Sequence, residues 1–263
     1  MKKKLKVLIV AAVCAVFLLG CSNSTKNDVT ASKEETLFQV STINSLLAGN
    51  YDGFMTFSEL KRHGNVGIGT FNALDGELIM IDNKVYKIES SGAVVEVPDS
   101  DKTPFAAVTY FDQDVTKSLS NVASLDMLEQ ELDQLIEDKN SFYIFRIDGT
   151  FNTIKARSVP RQEKPYPVLS EAVKNQTVFN YDNISGTLIG LWCPEYIGGV
   201  NVPGYHFHFI SDDRSKGGHL LDVRFDDAKA FMDVTDGFNM IISPTNSDGV
   251  VNDLNSEIDA VEK

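Results

Sequence analysis

Cysteine is scarce in this chain: three occur in 263 residues, and two of them, Cys14 and Cys21, lie in or directly after the apolar run at the N-terminus. Basic residues are also few, 24 Lys and Arg against 37 Asp and Glu, for a formal net charge of -13. Phosphate binding needs basic surface, so this balance excludes a nucleic-acid partner. Long apolar runs are absent beyond Val7 to Leu19, which is too short to span a bilayer. Neither heptads nor internal repeats appear. Histidine numbers only four, yet three of the four fall between His206 and His219.

Lys2, Lys3, Lys4 and Lys6 followed by the apolar stretch have the form of a secretory signal over residues 1–20. The segment closes on Leu18-Leu19-Gly20-Cys21, which looks like a bacterial lipoprotein box, with Cys21 becoming the lipidated first residue of the mature chain. The polar Ser22 to Asn27 stretch suits a flexible tether, taken as residues 21–36. The expected location is therefore extracytoplasmic and lipid-anchored to a bacterial membrane. Cys193 is then the single remaining thiol, so no intramolecular disulfide forms and the fold rests on its core. Residues 37–263 show no linker composition and are long enough for one large domain or two intimately packed halves.

Phe38 to Leu47 places Phe38, Ile43, Leu46 and Leu47 at helical offsets and predicts a short helix. Gly64 to Glu89 reads as an antiparallel meander punctuated by Asp75-Gly76 and Asp82-Asn83. Ser124 is a natural N-cap for an amphipathic helix with Leu125, Leu128, Leu132, Leu135 and Ile136 on one stripe. Phe142 to Ile147 and Phe151 to Ala156 flank Asp148-Gly149 and predict a hairpin. The proline-rich Arg161 to Pro167 should cross the surface, with a helical turn from Leu169 to Val173. Further strands are expected at Val178–Tyr181, Thr187–Trp192, Tyr205–Ile210, His219–Phe225 and Phe238–Ser243. The resulting class is α+β, mainly antiparallel or mixed β, in two closely packed β-rich halves with a few covering helices.

Alternation along a strand points His206 and His208 to one face and Phe207 and Phe209 to the other. The turn-forming Ser211 to Gly218 segment lets the chain reverse and return His219 on an adjacent strand. Three imidazoles converging this way match a catalytic zinc site, which keeps one position open. The cupin pattern does not apply, because it needs a Gly six residues before the first His and a Glu four or five after the second. Val200 and Asp212 or Asp213 stand there. His63, flanked by Lys61, Arg62 and Gly64, reads as a surface residue without a role.

Four stretches resemble the zinc-dependent α-acetolactate decarboxylases: Gly67 to Ile79, Arg146-Ile147-Asp148-Gly149-Thr150-Phe151, Arg157 to Pro167, and Gly204 to His219. They run in that family's order over residues 37–263. The resemblance implies conversion of a small 2-hydroxy-3-keto acid, α-acetolactate, to acetoin and CO2. It implies zinc held by His206, His208 and His219, and functional roles for Glu77, Arg157 and a tail glutamate. Glu262 fits the last best, with Glu257 as the alternative. A homodimer is also implied. By sequence alone, Glu77 would be a solvated turn residue, Arg157 a strand arginine pairing with any acid, and Glu262 part of a frayed terminus.

Loss of CO2 from such an acid leaves two electrons that flow into the adjacent ketone, giving an enediolate. Zinc as a Lewis acid and Arg157 as a fixed cation would stabilise it, and Glu77 or Glu262 would deliver the proton to carbon. Two alternatives are a non-enzymatic zinc- or ligand-binding lipoprotein, its metal shell closed by Asp212, Asp213 or Asp222, and a metal-dependent hydrolase.

Overall fold

The computed structural model describes residues 35–243. The expected signal and most of the tether, Cys21 included, lie outside the described residues, as do Glu257 and Glu262. Along the chain run β1 (Thr36–Val40), α1 (Ile43–Leu47), β2 (Met55–Thr56), α2 (Phe57–Leu60), β3 (Val66–Thr70), β4 (Glu77–Ile81), β5 (Lys84–Ile88), β6 (Val94–Glu96), β7 (Lys102–Thr103) and β8 (Ala106–Thr109). Then follow β9 (Val115–Val122), α3 (Leu125–Asp133), β10 (Phe142–Ser158), α4 (Leu169–Ala172), β11 (Thr177–Cys193), β12 (Gly204–Ser211), β13 (Gly217–Thr235) and β14 (Gly237–Ile241). The architecture is mainly β with few, short helices.

Two sheets carry most of it. One has seven strands in the order β14-β1-β8-β3-β4-β5-β6; the other has five, β10-β11-β12-β13-β9, with β10 also bonded to β13. That extra pairing closes β10 to β13 on themselves around a core of Phe145, Phe151, Phe207, Phe209 and Phe225. Leu128 and Leu132 of α3 pack into the same cluster, and Ser124 caps that helix by accepting from Met127 N at 3.2 Å. The sheets meet through Ile79, Ile81 and Ile88 on one side and Ile144, Ile189 and Ile210 on the other. At Asp82-Asn83 both residues have positive φ, 51° and 63°, as a two-residue hairpin turn between β4 and β5 requires.

Three expectations need correction. Phe38 to Leu47 is not one helix: Thr36–Val40 is a strand, paired parallel with β14 and antiparallel with β8, and only Ile43–Leu47 is helical. Phe38 and Val40 fit a two-residue period as well as a helical one, and two neighbouring ladders decide for the strand. Nor does the chain turn at Asp148-Gly149, since β10 passes straight through as a 17-residue strand. A Cβ on Gly149 would stand 2.9 Å from the Ala228 Cβ on β13, so the glycine serves close strand approach. Asp148 is held on the sheet surface by Arg146 Nε at 3.0 and 3.1 Å and by Thr187 Oγ1 at 2.7 Å. Finally, Val178–Tyr181 and Thr187–Trp192 are parts of the single strand β11, and β13 continues past Phe225 to Thr235.

Phe151 is fully buried, edge-on to Phe209 and Phe225 with ring centroids 5.7 Å away in both cases. Phe151→Ala should lower unfolding stability by about 3–5 kcal/mol. Urea denaturation reads this as a lower midpoint at unchanged slope. A loss under about 1 kcal/mol would mean the surrounding rings collapse into the space.

Candidate active site

The site lies where the two sheets meet. On β12, His206, His208 and Ile210 share a face directed away from Phe207 and Phe209, and Ile210 belongs to the core between the sheets. The β12–β13 ladder sets His208 opposite His219, and the β10–β13 ladder sets Arg157 opposite His219. Simple alternation would give His219 the face of Val223 and Phe225, inside the closed core. The β10–β13 register shifts between Lys155 and Ala156, however, where Lys155 faces Asp222, Ala156 faces Leu220, and Leu221 is passed over. This bulge turns Leu220 into the core and His219 toward the other histidines.

Gly218 makes the approach possible. Its φ is +148°, and an added Cβ would lie 2.7 Å from the Arg157 carbonyl oxygen.

The ring nitrogens converge. His206 Nε2 lies 3.2 Å from His208 Nε2 and 3.1 Å from His219 Nδ1. Nitrogens 2.0–2.1 Å from a shared tetrahedral ion stand roughly 3.3 Å apart, so the spacing fits a bound metal. His208 Nδ1 lies 2.7 Å from the Leu78 carbonyl oxygen. A carbonyl only accepts, so Nδ1 carries the proton and Nε2 presents its lone pair. Burial first, then the Arg157 charge, holds the His206 pKa down to about 3. His208 is likewise held well below its ordinary value, by burial first and then by its neighbours. Both rings are neutral at ordinary pH, the form that binds metal. This trio can hold a metal ion.

The second sheet supplies Glu77. It starts β4, opposite Thr70 of β3, and its Oε2 lies 3.8 Å from His208 Nε2. Glu77 and Arg157 are 8% and 5% exposed, far from the solvated positions that local sequence suggests. Arg157 Nη1 donates to Gln176 Oε1 at 3.1 Å. The three histidines, Glu77 and Arg157 together line one small cleft of about 40 Å³, walled by apolar side chains that include Leu74, Phe105 and Leu169. A larger cavity of about 480 Å³, lined by Lys87, Lys102 and Arg161 among others, contains no histidine. Chemistry, not volume, assigns the site.

Gln176 and the Leu78 carbonyl escaped the sequence reading. A glutamine at the end of a helical turn and a backbone oxygen on another sheet leave no pattern. Asp213 accepts from Ser211 and Ser215 within its own turn, and Asp222 accepts from Leu125 N at the start of α3. His63, half-buried, stacks on Phe38 with ring centroids 3.7 Å apart.

Fold and site together define a two-sheet β protein with a three-histidine metal-holding group facing an acid- and arginine-lined cleft. Comparison with known proteins narrows that class. A family model for alpha-acetolactate decarboxylase matches residues 37–255. The alpha-acetolactate decarboxylase of Methanosarcina mazei is 46% identical over 240 residues, covering 90% of this chain and 83% of the relative. That of Brevibacillus brevis is 46% identical over 195 residues, covering 74% and 68%. The crystal structure of the Bacillus subtilis strain 168 enzyme superposes with a TM-score of 0.84 at 38% identity, covering 86% of this chain and 99% of that one. The chain belongs to the alpha-acetolactate decarboxylase family, a family of carboxy-lyases.

Gly218→Ala forces a strained φ and a contact with the Arg157 carbonyl in the same place. The variant should be about 1–3 kcal/mol less stable and should carry less metal per chain, because His219 moves with its neighbour. Thermal melts and elemental analysis check both; unchanged metal content would show that the bulge, not Gly218, aims His219.

Proposed function

We propose that this chain decarboxylates α-acetolactate to acetoin and CO2 at a zinc ion held by His206, His208 and His219. The observation that carries the reading is the convergence of three ring nitrogens at metal-ligand spacing beside Glu77 and Arg157. When bound, zinc supplies Lewis-acid stabilisation of the negative charge that grows as CO2 departs.

The chain's own groups do the remainder. Arg157 supplies a planar cationic fork, and Gln176 fixes one arm of it. It first pairs with the substrate carboxylate. As that carboxylate leaves as neutral CO2, the guanidinium stabilises the enediolate oxygen left behind. Glu77, buried at the cleft, delivers a proton to the enediolate carbon on one face. The apolar wall excludes water that would otherwise protonate either face. Glu262, or Glu257 in its place, is the second carboxylate in this scheme.

A non-enzymatic metal carrier would need a closed ligand shell. Asp213 and Asp222, two candidates for closing it, are engaged elsewhere. A homodimer and a lipid anchor on Cys21 complete the proposal; among the described residues no helix is long and apolar enough to cross a membrane.

Purified protein given α-acetolactate should release acetoin in a metal-dependent way, and His206→Ala should lose zinc and acetoin formation together. Retained metal in that variant would place the ion elsewhere. Arg157→Lys keeps the charge but not the fork, so kcat/KM should fall on the order of 10²-fold with zinc still bound; unchanged turnover would remove Arg157 from the mechanism. Labelling cells with a radioactive fatty acid should mark the wild-type chain and not Cys21→Ser, and label on both would refute the anchor.

A further inference from the structure

Asp112, Asp114 and Asp233 form a second cluster of possible ligands, separate from the histidine cleft, with one oxygen of each within 4.8 Å of the others. Asp114 directly precedes β9, and β9 pairs with β13 so that Val115 faces Met232. One residue further along that register, Asp114 stands opposite Asp233. The placement is fixed twice over: Asp114 N donates to the Met232 carbonyl at 3.0 Å, and Val234 N donates to Asp114 Oδ2 at 2.8 Å. Asp112 closes on the same point with a carboxylate oxygen of its own. Like charges set directly across a ladder destabilise it, so the arrangement calls for compensation.

Asp233 makes the need acute. The residue is 0% exposed. Thr235 Oγ1 approaches Oδ1 at 3.4 Å, while Oδ2 is buried without a hydrogen-bond partner among the described residues. A buried carboxylate oxygen left unpaired is costly, and native structures satisfy such atoms with water or an ion. The neighbours acting on this one are Asp112, Asp114 and Glu35, acids all; burial first, and their charges after it, push the Asp233 pKa up to about 8.

We propose that Asp112, Asp114 and Asp233 form a second metal site, taking a hard divalent cation of the Ca²⁺ class that fastens the Asp112–Asp114 segment to the end of β13. An all-oxygen donor set selects such ions, whereas imidazoles select zinc and its neighbours. Oxygens 2.3–2.6 Å from one ion stand up to about 5 Å apart, which accommodates the observed grouping. The segment links β8 of the seven-stranded sheet to β9 of the five-stranded one. An ion here strengthens the crossing between sheets and takes no part in turnover.

The test is a thermal melt of the zinc-loaded protein with and without CaCl2 in the millimolar range, above the ~10⁻⁴–10⁻³ M dissociation constants of weak calcium sites. The wild-type midpoint should rise by about 3–8 °C. Asp233→Asn and the exposed double variant Asp112→Asn/Asp114→Asn should lose the rise while keeping acetoin formation. His206→Ala should keep the rise, which separates failure of this site from failure of the zinc reading. A wild-type midpoint indifferent to Ca²⁺, or a double variant that responds as strongly as wild type, overturns the proposal.

Discussion

The 2.7 Å hydrogen bond from His208 Nδ1 to the Leu78 carbonyl joins the two sheets at the place where both contribute to the site, and its direction constrains everything around it. Because the carbonyl can only accept, the proton is pinned to Nδ1 and the lone pair of Nε2 is turned toward His206 and His219. A single proton among the three rings could relieve one close pair of nitrogens. The pairs at 3.1 and 3.2 Å share His206 Nε2, and burial opposes making His206 or His208 an imidazolium. A cation at the common point satisfies all three lone pairs at once. The same bond fixes Glu77, which immediately precedes Leu78 on β4, relative to β12.

Strand packing explains why the geometry can be held. Glu77 lies on the face of β4 that also carries Ile79 and Ile81, and His206 and His208 lie on the face of β12 that carries Ile210. The polar site is therefore the edge of an apolar seam between sheets. The three histidines and Arg157 are each set by a ladder, since His206 faces Leu191, His208 faces His219 and His219 faces Arg157. Sites on strands keep their geometry more tightly than sites on loops. The seam also buries Glu77, Arg157, His208 and His219, so each charge there acts more strongly than in solvent.

Much of this was legible in the sequence, and the failures have physical causes. The shared face of His206 and His208 follows from alternation, the α3 stripe from its leucines, and the β4–β5 turn from Asp82-Asn83. The convergence of His219 was expected from the intervening turn residues, but its face was not deducible. Alternation from Val223 and Phe225 sends it into the wrong core, and a bulge leaves no mark in a single sequence. Asp148-Gly149 was misleading because glycine serves close strand approach as well as turns, and the ladder partner Ala228 is distant in sequence. Glu77 and Arg157 were visible through family resemblance alone. An acid after an Asp-Gly pair and an arginine in a strand carry no periodic signal, and their burial comes entirely from the opposing sheet.

Ligand charge separates the two cation positions. Three imidazoles bring no charge, so a divalent ion among them keeps its full charge for an incoming anion, and Arg157 beside it adds to that field while Glu77 subtracts from it. In a chain with formal net charge -13, an ion held there would invert the sign locally and favour entry of the anionic keto acid of the proposed reaction. Three carboxylates do the opposite. At Asp112, Asp114 and Asp233 three ionised carboxylates would more than cancel the charge of a divalent ion, leaving nothing with which to polarise a substrate. That pairing of charges is of use only to the fold, and the neutral trio is where chemistry has to occur.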